Sequence, residues 1–239
     1  MKLSKLSHAV IAASLMAVGV MAHAEITTSG TVAFTTDYKF RGITQTSNNA
    51  AVQGSVTASH DSGVYASAWG SSVSGLTGGS EMDFMLGFAG ASGDVAYDVG
   101  VMRYAYPGAN RGNNSGALPD YNEVYASVST AGAKVGVAYS DDYFGETGKY
   151  SYLYASYGTE LAGFGVSASV GYNKLYDSGK SFSVANTTED KYIDYKAAVS
   201  KSVGGIGFEV AYIGTDLKEI DQPGLNVDGS VVVTASKSF

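Results

Sequence analysis

Phe164-Gly165-Val166-Ser167-Ala168-Ser169-Val170-Gly171-Tyr172 alternates a residue of apolar character with a small or polar one at every step. A period of two is that of a β-strand, whose successive side chains point to opposite faces. One face, Phe164, Val166, Ala168, Val170 and Tyr172, suits an apolar environment. The other, Gly165, Ser167, Ser169 and Gly171, tolerates water. Ala162-Gly163 stands immediately before this stretch and is a two-residue hairpin signal. The same alternation returns in Ile206, Phe208, Val210 and Tyr212 against Gly207, Glu209 and Ala211. It returns again in Met82, Phe84, Leu86 and Phe88 against Glu81, Asp83, Met85 and Gly87.

Extended outward from residue 164, this reading predicts twelve strands, near 26–38, 50–60, 63–73, 80–91, 93–106, 119–130, 133–142, 148–160, 164–175, 189–203, 205–217 and 228–239. The links alternate in length. Asp61-Ser62, Ser92-Gly93, Ala131-Gly132, Ala162-Gly163 and Gly204-Gly205 are tight turns, and longer polar segments occupy 39–49, 74–79, 107–118, 143–147, 176–188 and 218–227. Five short turns and six long loops are what a twelve-stranded up-and-down antiparallel barrel requires when both ends of the chain lie on the short-turn side, the periplasmic side of an outer-membrane barrel. A soluble sandwich shows the same alternation along each strand, but a Greek key gives no reason for such regular links. The expected fold is therefore all-β, a transmembrane up-and-down barrel over 25–239.

The first residues supply the route to that membrane. Lys2 and Lys5 precede an apolar run from Ala9 to Met21, and Ala22-His23-Ala24 is a small-x-small cleavage pattern. Residues 1–24 read as a signal peptide cleaved before Glu25. About 13 apolar residues fall short of the roughly 20 that a spanning helix needs. Composition agrees with strands: 31 Gly, 18 Tyr and only 3 Pro. Without cysteine there is no disulfide framework. Loss of Lys2 and Lys5 leaves 13 basic against 22 acidic residues, a net charge of −9. That balance excludes nucleic acid as a partner, because phosphate binding needs clustered Lys and Arg.

The blocks Thr36-Asp37-Tyr38-Lys39-Phe40-Arg41-Gly42-Ile43-Thr44-Gln45, His60-Asp61-Ser62-Gly63-Val64-Tyr65, Tyr97-Asp98-Val99-Gly100-Val101, Tyr104-Ala105-Tyr106-Pro107-Gly108, Tyr139-Ser140-Asp141-Asp142-Tyr143-Phe144-Gly145 and Ser236-Lys237-Ser238-Phe239 resemble the TorF-type porins, also described as the Gcw_chp outer-membrane family of unknown function. The resemblance spans nearly all of the mature chain. It implies an outer-membrane, porin-like protein and brings no substrate or catalytic residue with it.

Catalysis is not expected. After the leader is removed, His60 is the one remaining histidine. Its neighbours Asp61 and Ser62 share its tight turn and cannot form an oriented nucleophile–base–acid chain. No cofactor is expected, and no metal. Asp141-Asp142 and Glu189-Asp190 offer too few ligands for calcium. The informative residues lie opposite the apolar faces. Asp37, Glu81, Asp83, Asp98, Glu123, Asp194 and Glu209, with Lys196, are the pore-lining candidates, since charge facing lipid near the midplane is costly. Such residues also suit hydrogen-bonded networks that fill small barrels. Arg103, Lys201 and Lys237 fall on outward parity and need to snorkel from strand ends. Twelve strands about 4.8 Å apart, tilted about 40°, leave a bore of roughly 10–14 Å. The many Gly, Ser, Thr and Ala on inward parity favour an open path.

The function expected is a channel of a Gram-negative outer membrane, passing small solutes by passive diffusion with a preference for cations. Its partners would be outer-membrane lipid and those solutes. The alternative is a non-conducting barrel that displays loops 107–118 and 176–188 for adhesion or partner binding.

Overall fold

The computed structural model describes residues 25–74, 78–112, 116–182, 189–218 and 227–239. Residues 1–24, the expected signal peptide, lie outside them. In chain order the strands are β1 (Ile26–Thr35), β2 (Lys39–Phe40), β3 (Ile43–Thr44), β4 (Ala51–His60), β5 (Val64–Ser72), β6 (Ser80–Ser92), β7 (Val95–Ala105), β8 (Tyr121–Thr130), β9 (Ala133–Ser140), β10 (Tyr150–Leu161), β11 (Phe164–Leu175), β12 (Lys191–Val203), β13 (Ile206–Thr215) and β14 (Ser230–Ser238). All but β2 and β3 form one closed barrel of antiparallel neighbours, each next to its predecessor in sequence, with β1 joining β14 to β4. The twelve expected strands are therefore present, each within a few residues of its expected bounds.

Turn chemistry explains the register at one end of the barrel. Ala131-Gly132, Ala162-Gly163 and Gly204-Gly205 all hold positive φ at both residues, the type I′ geometry that follows strand twist. The β6–β7 link is Gly93-Asp94, one residue later than expected, with Gly93 at φ 59°. The β4–β5 link needs three residues and ends on Gly63 at φ 95°. The first and last strands begin and end at this turn end, since Ile26 pairs with His60 and Ser238 with Thr31. The opposite, loop end carries the longer connections.

The outer surface is apolar. Val32, Phe34, Phe84, Leu86, Val99, Val101, Val137, Leu153, Val170, Val199 and Val210 all stand exposed. A closed wall with this band satisfies its backbone polar groups internally and meets hydrocarbon with its side chains. Every outward charge on the described strands lies within two residues of a strand end: Arg103, Lys174, Lys191, Lys201 and Lys237. Arg103 meets Asp120 at 2.8 Å, and the Lys201 ammonium lies 4.4 Å from the ring centre of Phe164. The snorkelling positions are thus at the edges of the band, where water is within reach.

Inside, the two halves differ. Toward the turn end, inward tyrosines lie over glycines of the neighbouring strand. A Cβ built on Gly87 would sit 2.5 Å from Tyr65 Cζ; on Gly100, 2.4 Å from Tyr125 Oη; on Gly136, 2.5 Å from Tyr154 Cζ. The rings take space that a glycine leaves, not space at the barrel axis. Toward the loop end, a buried cluster of Ile43, Tyr104, Tyr106, Tyr121, Tyr143, Tyr150, Leu175, Phe182, Tyr192, Leu217 and Val227 fills the interior. This half corrects the expectation of an open path. The small inward residues do line the walls, but ring-bearing residues from the loops and from β7, β8, β10 and β12 close over them. Phe182, read from sequence as a polar-loop residue, is buried at 3% exposure.

Candidate functional site: the lumen and its inward hairpin

The connection between β1 and β4 turns into the barrel. Phe40-Arg41-Gly42-Ile43 forms a further type I′ turn, with Arg41 at φ 48° and Gly42 at φ 83°, and pairs Lys39 with Thr44 and Phe40 with Ile43. Its root is fixed by Asp37. One carboxylate oxygen, Oδ1, accepts from the hydroxyls of Thr44 at 2.6 Å and Thr46 at 2.7 Å. Asp37 is therefore a buried turn residue at the base of this hairpin. Ile43 is buried in the cluster, and Phe40 packs edge-on to Tyr104 with ring centres 5.7 Å apart.

The tip reaches across the lumen. The two terminal nitrogens of Arg41 donate to Glu123 Oε1 and Oε2 on β8, each at 2.8 Å, and Nη1 also donates to Tyr150 Oη on β10 at 2.8 Å. The guanidinium carbon lies 4.3 Å from the ring centre of Tyr152 and 4.6 Å from that of Phe40. From Tyr150 the network continues along the wall. Tyr150 donates to Asn173 Oδ1, and Asn173 Nδ2 donates to Asp194 Oδ2 at 2.8 Å. Tyr152 donates to Asp194 Oδ1 at 3.2 Å.

Tyrosine does two things here. Its ring packs an interior that must still hold acids, and its hydroxyl donates to them. Tyr104 serves Glu123 at 3.1 Å, Tyr106 serves Glu81 at 3.1 Å, Tyr152 serves Asp194, and Tyr65 serves Asp98 at 2.8 Å. Lys196 is paired with Glu209 at 2.6 Å. Glu81 and Asp83, on one face of β6, retain buried oxygens without a partner among the described residues, as does Asp37.

All eight sequence candidates face inward or lie buried beneath the hairpin. Glu81, Asp83, Glu123 and Asp194 sit in the packed loop-end half, while Asp98 and Glu209 lie lower and partly exposed. Sequence reading missed Lys134 and Glu160, which share the inward parity of β9 and β10, and the cations Lys39 and Arg41 of the hairpin. Counting parity along β9 and β10 finds the first two. The Arg-Gly pair between Phe40 and Ile43 is the signal for the hairpin. His60 and Ser62 form a local turn contact, Nδ1 to Oγ at 2.8 Å, while Asp61 Oδ2 accepts from the backbone of Glu25. The three do not form a relay. At the loop rim Asp190 is paired with Lys174, and Asp142 accepts from Gly148 N at 3.2 Å.

Solved structures share the architecture. The NanC porin is similar over 88% of this chain and 98% of its own, with 9% identity and a TM-score of 0.53. The KdgM porin is similar over 88% of this chain and 99% of its own, with 11% identity and a TM-score of 0.54; its complex with disordered oligogalacturonate matches to the same degree. At such identity the likeness concerns the fold. No curated protein matches. The closed twelve-stranded wall and its lipid-facing band are those of an outer-membrane barrel. Residues 20–239 match one family throughout, and the chain belongs to it: Gcw_chp, a bacterial protein family of unknown function.

Proposed function

We propose that this barrel is a porin-like channel for passive diffusion of small solutes, with a preference for cations and with its loop end facing the cell exterior. The observation that carries the reading is the charge of the interior. Asp37, Glu81, Asp83, Asp98, Glu123, Glu160, Asp194 and Glu209 share it with Lys39, Arg41, Lys134 and Lys196. An excess of carboxylates between low-dielectric walls concentrates cations. Oligogalacturonate, bound to KdgM in one of the similar structures, is a polyanion, and this interior disfavours such a solute. No catalytic group enters the reading, which is that of a transport protein and not an enzyme. Residues 1–24 are, in the same reading, the export signal.

Reversal potentials in planar bilayers under a KCl gradient test the proposal. Cation preference should appear at 0.1 M and fade toward 1 M, as the Debye length falls from about 10 Å to about 3 Å. Asp98→Asn with Glu209→Gln should reduce it. Anion preference would overturn the charge argument. The packed loop end favours a second reading, a non-conducting barrel that displays its loops. Absence of conductance under every condition would select it.

A further inference from the structure

We propose that Arg41 is the specificity-determining residue of this channel: the hairpin 39–44 is its constriction, and the pair Arg41–Glu123 holds that hairpin across the lumen. The inference rests on the channel reading above. The hairpin touches opposite walls. Gly42 lies against β12 and β13, where an added Cβ would come within 2.5 Å of Thr215 Cγ2 and 2.6 Å of Gly214 O. Arg41 reaches β8. In the ring of twelve strands β13 and β8 are five apart, close to diametrically opposed. A strut between them divides the bore.

Nothing in the hairpin's own pairing can hold it there. It has two paired positions, and an isolated two-stranded hairpin is marginal in water. Its root is anchored by Asp37 and its tip by Arg41, an arrangement of hinge and latch. The latch is desolvated, with side-chain exposures of 7% for Arg41 and 2% for Glu123. Removing one partner of such a pair leaves a buried charge uncompensated. Water can reach that charge once the tip withdraws. Arg41 also determines charge at the narrowest level. It neutralises Glu123, while no basic group among the described residues pairs with Glu81 or Asp83.

The test separates bore from charge. In planar bilayers Arg41→Ala and Glu123→Gln should each raise single-channel conductance by twofold or more, because both release the latch. Their effects on ion preference should be opposite: Arg41→Ala increases the cation-to-anion permeability ratio and Glu123→Gln decreases it. Heat-modifiability gels report folding of each variant. Should a point variant fail to fold, replacement of Phe40–Ile43 by Gly-Gly gives the same reading, since Asp37, Thr44, Thr46 and the twelve strands remain. Parent-like conductance in the hairpin-deleted barrel overturns this inference alone. A hairpin-deleted barrel that folds but never conducts overturns the channel reading itself.

Discussion

Gly30 and Phe239 exchange both of their backbone hydrogen bonds, Gly30 N to Phe239 O at 2.9 Å and Phe239 N to Gly30 O at 3.0 Å. The terminal ring lies over the glycine, so that a Cβ there would sit 2.6 Å from Phe239 Cε2. This contact extends the β1–β14 seam, which has five paired positions against ten between β1 and β4. Deletion of Phe239 should therefore lower the yield of folded barrel severalfold in heat-modifiability gels. Gly30→Val should do the same by displacing the ring. Tyr176→Ala, at an exposed loop position, should not. Equal yields would show that the seam closes without its last residue.

Phe182 is held edge-on between Tyr192 and Tyr150, with ring centres 4.7 and 6.2 Å away. Truncating a buried phenylalanine costs about 3–5 kcal/mol. Phe182→Ala should destabilise the barrel by roughly 3 kcal/mol in urea titrations, at the low end of that range because the cluster lies beside loops that can relax. A loss below about 1 kcal/mol would mean the cluster is not close-packed.

Much of the fold is legible in the residues and the hairpin is not, for a physical reason. Strand parity is local: Phe84 and Glu81 declare opposite faces whatever their neighbours do. Turns such as Ala162-Gly163 are equally local. The inward course of 39–44 depends on Glu123, 82 positions away from Arg41, and no local pattern encodes that partner. The same applies to Phe182, whose burial comes from Tyr143, Tyr150 and Tyr192 and not from its own polar surroundings. Parity placed the acids inside. It could not show that tyrosine hydroxyls would occupy them.

Orientation can be read by labelling. Cysteine at Ser178, exposed at the loop end, should react on intact cells with a membrane-impermeant reagent. Cysteine at Asp94, exposed in the β6–β7 turn, should react only after the cells are opened. The reverse pattern would invert the barrel.

The rim loops should respond to acid and not to mild changes of pH. Arg111 forms a bidentate pair with Glu146 that ties residues 106–112 to residues 141–149. Hydrogen bonding from Arg111 holds the Glu146 carboxyl below its ordinary range, and Lys174 does the same for Asp190. A lowered carboxylate contributes its tether above the ordinary carboxylate range and loses it as pH falls through the lowered value. Amide protection factors in both segments, corrected for the intrinsic pH dependence of exchange, should therefore be unchanged from pH 7 to about 5 and fall below about pH 4. Arg111→Ala should show the low protection at every pH. A fall already at pH 6 would point to a different titrating group.

The tyrosines laid over Gly87, Gly100 and Gly136 have a further consequence. Each ring is recessed into the next staple of the wall, and the depth of the recess is the missing side chain of a glycine. Alanine at one of these positions would lift its ring toward the barrel axis by the thickness of a methyl group. The calibre of the turn-end half is thus set in methyl-sized steps by glycines that lie behind the rings. A tyrosine and the glycine beneath it can change only as a pair if that calibre is to be kept.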